Sequence, residues 1–207
     1  MKLIDLSHKL DEDTPVFPGD HPLTLNRVKT LERDKHTAYL LSSCLHTGTH
    51  IDAPMHMAED TNMIGDFPPD CFIGGGVLLD VRGEDPISMK PCYEESVRAD
   101  SAVLLYTGHD RLYGSDAYFS RHPVVSGELG AFLLSRKIKM LGMDTPAPDR
   151  PPYTFHRALL SAGIFVLENL TNLQNVPKTG AFEIIALPLK IAAEASFVRA
   201  VCRVSLP

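Results

Sequence analysis

A chain of 207 residues is near the upper end of single-domain size and long enough to bury a full hydrophobic core, so one domain spanning 1–207 is expected. Twenty Lys and Arg against 26 Asp and Glu give a net charge of −6, well mixed along the chain, which excludes the clustered base of a nucleic-acid surface. Asp5 interrupts any apolar signal core, no apolar run approaches the ~20 residues of a membrane span, and Cys44, Cys71, Cys92 and Cys202 form no Cys-x-x-Cys pair, so a soluble cytoplasmic protein with reduced thiols is expected.

Lys2 to Leu10 alternates apolar and polar residues like a half-buried strand, and Asp11 to Pro22, with three prolines and a glycine, reads as a loop. Leu23 to Val28 and Thr37 to Leu45 are strand candidates. The second delivers His46-Thr47-Gly48-Thr49-His50-Ile51-Asp52-Ala53-Pro54-Met55-His56, in which three imidazoles and a carboxylate fall within eleven positions. Neutral imidazole is the commonest protein ligand for a transition metal. Gly48 and the β-branched Thr47, Thr49 and Ile51 disfavour a helix, while the two-residue step from His50 to Asp52 puts both on one face of an extended segment. His46 then returns to the same point by a turn at Gly48. Burying these groups beside Ile51 and Met55 is costly unless a cation or a hydrogen-bond network holds them.

Asp60 to Gly76, rich in Asp, Pro and Gly, reads as a long ordered loop that could wall the site. Val77 to Val81 and Ser101 to Tyr106 suit buried strands, and Ser88 to Ala99 between them carries a weak helical signal. His109, in the loop after the second strand, could face the pocket; His8, His21, His36 and His122 have no partner pattern and read as surface residues. Ser126 with Glu128 opens a helix to Arg136 or Lys137. Ile138 to Met143 is a strand, Thr154 to Ala162 a helix stopped by Gly163, and Ile164 to Leu170 an apolar strand. Glu168 shares a face of that strand with Ile164 and Val166, where an unpaired carboxylate is expensive and a metal removes the contradiction. Phe182 to Leu187 and Val198 to Val204 are the final strands.

The spacing His-x-Gly-Thr-His-x-Asp-x-Pro-x-His matches at every fixed position the signature of the metal-dependent cyclase family, which includes bacterial kynurenine formamidases and isatin hydrolase. Ile4-Asp5-Leu6-Ser7, Thr14-Pro15-Val16-Phe17-Pro18-Gly19-Asp20, Gly142-Met143-Asp144-Thr145-Pro146 and Ile185-Ala186-Leu187-Pro188-Leu189-Lys190 also resemble segments of that family. The resemblance implies an α/β cyclase-like fold with a mixed, partly barrel-like sheet flanked by helices. It implies His46, His50, Asp52, His156 and Glu168 as metal ligands, His56 as the catalytic acid/base, and Phe17 as a substrate-binding residue where the formamidases have a tryptophan. A homo-oligomer, dimer or tetramer, is implied as well.

Imidazoles and carboxylates without thiolates suit Zn²⁺ and also Mn²⁺, and five ligands suit two ions sharing Asp52. Such ions supply a water-derived nucleophile at neutral pH without Ser or Cys. The expected activity is hydrolysis of an acyl C–N bond in a small-molecule substrate, N-formyl-L-kynurenine to L-kynurenine and formate. Alternatives are ring opening of a cyclic amide, imide or lactone, and a non-catalytic metal-binding or sensing domain. The last has no use for His56, and its presence beyond the ligand set favours catalysis.

Overall fold

A computed structural model describes residues 1–204. Eleven strands run through them: β1 (Lys2–Asp5), β2 (Thr24–Lys29), β3 (Ala38–Ser42), β4 (His50–Asp52), β5 (Ile73–Asp80), β6 (Ala102–Tyr106), β7 (Met140–Met143), β8 (Phe165–Glu168), β9 (Phe182–Ile185), β10 (Ala195–Phe197) and β11 (Val201–Val204). The helices are α1 (Leu31–Asp34), α2 (Tyr93–Ser96), α3 (Asp116–Ser120), α4 (Gly127–Arg136) and α5 (Thr154–Ser161). Nine strands form one curled sheet in the order β1-β11-β9-β5-β6-β7-β8-β4-β10, while β2 and β3 pair separately.

The middle of the sheet, β5 to β8, is parallel and everything outside it antiparallel. All residues of β6, β7 and β8 are buried, which is why they read as continuous apolar runs. Alternation divides their side chains between two cores. Leu104, Met140, Phe165 and Leu167 pack inside the curl with Leu6, Ile51 and Phe72, while Val103, Leu105, Leu141 and Val166 pack under Leu129 and Leu133 of α4 and Leu159 and Leu160 of α5. Each of these fully buried side chains contributes about 1.5–3 kcal/mol of transfer free energy.

The helix signals hold at the residue level. Ser126 Oγ accepts from Leu129 N at 3.2 Å to cap α4, Lys137 ends it in the left-handed region, and Gly163 at φ +74° follows α5. Three expectations need correcting. The segment 60–76 is not one loop: it holds two 3-10 turns, Ile64–Asp66 and Pro69–Phe72, and gives its last four residues to β5. Its backbone bonds to Ile191 and Ala193, and its residues do not wall the site. Ser88 to Ala99 contains only the single turn α2. A tenth strand, β10, lies in what reads as loop. The β2–β3 hairpin leaves Val28, Tyr39, Leu40 and Leu41 exposed. Among the described residues no helix is long and apolar enough to cross a membrane.

Candidate metal centre and active site

β4 is inserted between β8 and β10 in the sheet, with His50 opposite Glu168 and Asp52 opposite Val166. Cross-strand neighbours share a face, so the pairing places Glu168 beside His50, and the two-residue step puts Asp52 on the same side. Gly48 makes the turn before β4 at φ +65°, where a Cβ would also collide with the Leu10 side chain. That turn brings His46 back to Asp52, with Nδ1 2.9 Å from Oδ1. After β4, Pro54 opens a 3-10 turn, His56 N donates to Ala53 O at 2.9 Å, and the His56 ring lands 4.1 Å from that of His46. α5 contributes His156 from the opposite side, its Nε2 3.2 Å from Asp52 Oδ2 and its Nδ1 3.8 Å from Glu168 Oε1. His50 Nε2 lies 3.5 Å from Asp52 Oδ1 and 3.4 Å from Glu168 Oε2.

All six residues that the sequence singled out for metal and proton chemistry therefore converge. His156, unremarkable as a surface histidine, is 3% exposed. These groups are close yet do not satisfy one another: His50 Nε2, both Asp52 oxygens, both His156 nitrogens and Glu168 Oε1 are buried without a hydrogen-bond partner. Buried polar atoms in folded proteins are almost always paired, and a cluster of orphans around one point fits divalent cations with nitrogen and oxygen donors. Donor atoms within 4.8 Å of one another form two groups, His46, Asp52 and His56, and His50, Asp52 and Glu168, with Asp52 common to both.

The electrostatics agree. Burial opposes ionisation of Asp52, but His50 and His46 override it and hold the carboxyl well below its usual range. Burial would lower His46, yet Asp52 and then Glu168 hold its imidazole up at about 10. The carboxylates thus draw positive charge into the site. His56 behaves differently: burial pushes it down to about 4 against the pull of Asp52, with the neighbouring imidazoles adding to the effect of burial, so the ring is neutral near pH 7.

Behind the cluster runs a set of hydrogen bonds that single residues in the sequence did not reveal. His50 Nδ1 donates to Gly48 O at 2.8 Å, which orients the ring with Nε2 toward the carboxylates. Asn169 Nδ2 donates to the same carbonyl at 2.9 Å, and Tyr118 OH donates to Asn169 Oδ1 at 2.7 Å. The signal available in the sequence was an asparagine directly after Glu168, and it takes the left-handed conformation, φ 55°, that asparagine tolerates. Glu194 was also missed; its Oε1 is 3.3 Å from His46 Nε2. Tyr118→Phe deletes one hydroxyl from this chain while keeping the packing, and metal affinity is expected to fall about 10-fold. Competition titration against a chelator measures this, and unchanged affinity would leave Tyr118 a packing residue only.

A cavity of about 220 Å³ opens onto the cluster, lined by His46, His56, His156 and Glu168 on one side and by Phe17, Asp20, Phe119 and Tyr153 on the other. Phe17 packs edge-on against Phe119 with ring centroids 5.6 Å apart. Neither Cys44 nor His109 lines it. His109 is instead buried, its ring nitrogen bonding Tyr118 O at 2.8 Å. His122 is buried between the carbonyls of Phe119 and Asp149 and His8 stacks on Tyr113, so neither is the surface residue expected.

The Cyclase family model matches residues 4–150. The chain belongs to the cyclase family. Relatives extend the likeness past residue 150: a kynurenine formamidase of Salinibacter ruber is 34% identical over 210 residues, 98% of this chain and 98% of its own. Another, of Bacillus cytotoxicus, is 31% identical over 206 residues, 97% of this chain and 96% of its own. The solved structure of isatin hydrolase A from Labrenzia aggregata, bound to benzyl benzoate, superposes with a TM-score of 0.87 at 26% identity, over 99% of this chain and 94% of its own. A structure described as a potential metal-dependent hydrolase with cyclase activity gives 0.80 at 25% identity over 99% of both chains. The mixed, partly barrel-like sheet flanked by helices is thus the cyclase-family fold.

Proposed function

We propose that this cyclase-family enzyme is an arylformamidase that hydrolyses N-formyl-L-kynurenine to L-kynurenine and formate. The observation that carries the reading is the placement of His56: an imidazole 4.1 Å from the His46 ring, beside a carboxylate–imidazole cluster with orphaned donors, on the wall of an aromatic-lined cavity. The kynurenine formamidases that match nearly the whole chain supply the substrate class.

His46, His50, Asp52 and Glu168, joined by His156 at 3.2 Å from Asp52, would hold two divalent ions, with Zn²⁺ suited to the imidazoles and Mn²⁺ a harder alternative. Bound there, such ions supply a water-derived nucleophile at neutral pH and polarise a carbonyl oxygen. His56 does the proton work. Neutral at the start, it accepts the proton that the attacking water gives up, then donates it to the anilide nitrogen as the C–N bond breaks. Water is thereby divided between formate and the freed amine. Phe17 and Phe119 offer an edge-on aromatic pair against which the anilide ring packs.

A second reading, ring opening of a cyclic anilide, is favoured by the likeness to isatin hydrolase A. It uses the same steps on a tethered leaving group. A panel of N-formyl-L-kynurenine, isatin and a simple lactone, assayed with the zinc- and manganese-loaded protein, separates the two. Formylkynurenine is expected to give the highest kcat/KM. If isatin or the lactone exceeds it by a wide margin, the formamidase reading is wrong.

A further inference from the structure

Phe17, Pro18, Gly19 and Asp20 form a tight turn closed by a hydrogen bond from Asp20 N to Phe17 O at 3.0 Å. Proline at the second position and a glycine at φ +102° at the third are the requirements of a type II turn. Its geometry brings the first and fourth residues together, and both line the cavity. One turn therefore presents an aromatic ring and a carboxylate to the same space.

Asp20 is half-buried, and its carboxylate has neither an ion pair nor a hydrogen-bond donor among the described residues. It belongs to neither donor group at the cluster. The other carboxylate on the cavity wall, Glu168, faces His50 and His156. No Lys or Arg lines the cavity. The basic groups of the cavity, His46, His56 and His156, belong to the metal-site cluster, and none of them pairs with Asp20. A half-buried carboxylate beside aromatic rings, with no basic partner of its own, is matched by a ligand that carries both an aryl group and a positive charge, since the carboxylate pairs with the charge and the rings attract it.

We propose that Asp20 is a specificity-determining residue that pairs with a cationic amine on a side arm of the aromatic formamide. This rests on the formamidase reading and adds to it which substituent is read. It also implies that a carboxylate on the same arm finds no Lys or Arg to pair with and gains nothing from Asp20.

The test compares three formanilides on the metal-loaded enzyme: one neutral, one carrying an ortho aminoalkyl ketone arm without a carboxylate, and one carrying a carboxylate without an amine. The wild type is expected to prefer the amine-bearing compound. Asp20→Asn should lower the ratio of its kcat/KM to that of the neutral compound about 10-fold, mainly through KM, and Asp20→Glu should retain the ratio. Asp20→Lys should shift the preference toward the carboxylate-bearing compound. Reactivity differences among the compounds cancel when each ratio is compared between the wild type and a variant. A ratio unchanged by Asp20→Asn overturns the proposal, and so does a wild type that prefers the carboxylate-bearing compound. Binding of the corresponding aminoalkyl aniline product, measured by calorimetry, reads Asp20 without turnover. If the wild type cleaves none of the three yet Asp20→Asn weakens product binding about 10-fold, the formamidase reading fails and the pairing stands.

Discussion

Asp52→Ala is expected to lose both metal ions together and to lower kcat by about 10³-fold or more, because the ions contribute several kcal/mol of transition-state stabilisation. Asp52 is fully buried and is the one residue common to both donor groups. Its Oδ1 faces His46 and His50 while its Oδ2 faces His156, so the carboxylate spans the cluster. Deleting it also leaves His46 and His156 without the carboxylate that, against their burial, holds both imidazoles up. Asp52→Asn keeps the shape but replaces one oxygen by an N–H donor aimed at the same point, and should fail almost as completely. Elemental analysis of the purified variants decides the matter. An Asp52→Ala protein that holds one full equivalent of metal and most of its rate would refute a shared carboxylate.

For His56→Ala the expectation is the opposite combination, with metal content and fold retained while kcat drops about 10²–10⁴-fold, roughly 3–5 kcal/mol of barrier. The turn opened by Pro54 carries His56 to the cavity wall. A general acid matters most when the departing amine is a poor leaving group, so a formanilide bearing an electron-withdrawing substituent should be hurt less by the substitution. Metal analysis and rate measurements on the same preparation make the reading unambiguous. Metal lost in proportion to activity would make His56 a ligand alongside His46 and Asp52, the two residues it already approaches.

Much of the site was legible because it is local. The four groups of the central motif lie within eleven residues, and the period-two step from His50 to Asp52 states their shared face without any knowledge of the fold. Glu168 announced itself by contradicting its own apolar strand. His156 did not, since its burial depends on α5 lying over β4 and β8, and the family resemblance alone pointed to it. Nothing in the sequence states that β4 is inserted between β8 and β10, so the roles of Tyr118, Asn169 and Glu194 could not be read. The same limit explains β10, three residues whose only reason to be a strand is the edge of β4. Gly74 to Gly76 read as loop because glycine is poor in strands, but the missing side chain at Gly76 is what admits the Phe182 ring across the sheet. His122 read as a surface residue because backbone carbonyl partners leave no trace in composition.

The insertion of β4 has a consequence for biosynthesis. His50 pairs with Glu168, 118 residues later in the chain. At ~5–20 residues per second, the histidine motif leaves the ribosome about 6–24 s before the strand that completes its surroundings. Throughout that interval β4 has neither of the strands it pairs with. A chain stopped short of β8 would carry the whole motif yet lack Glu168, and with it the donor group of His50, Asp52 and Glu168.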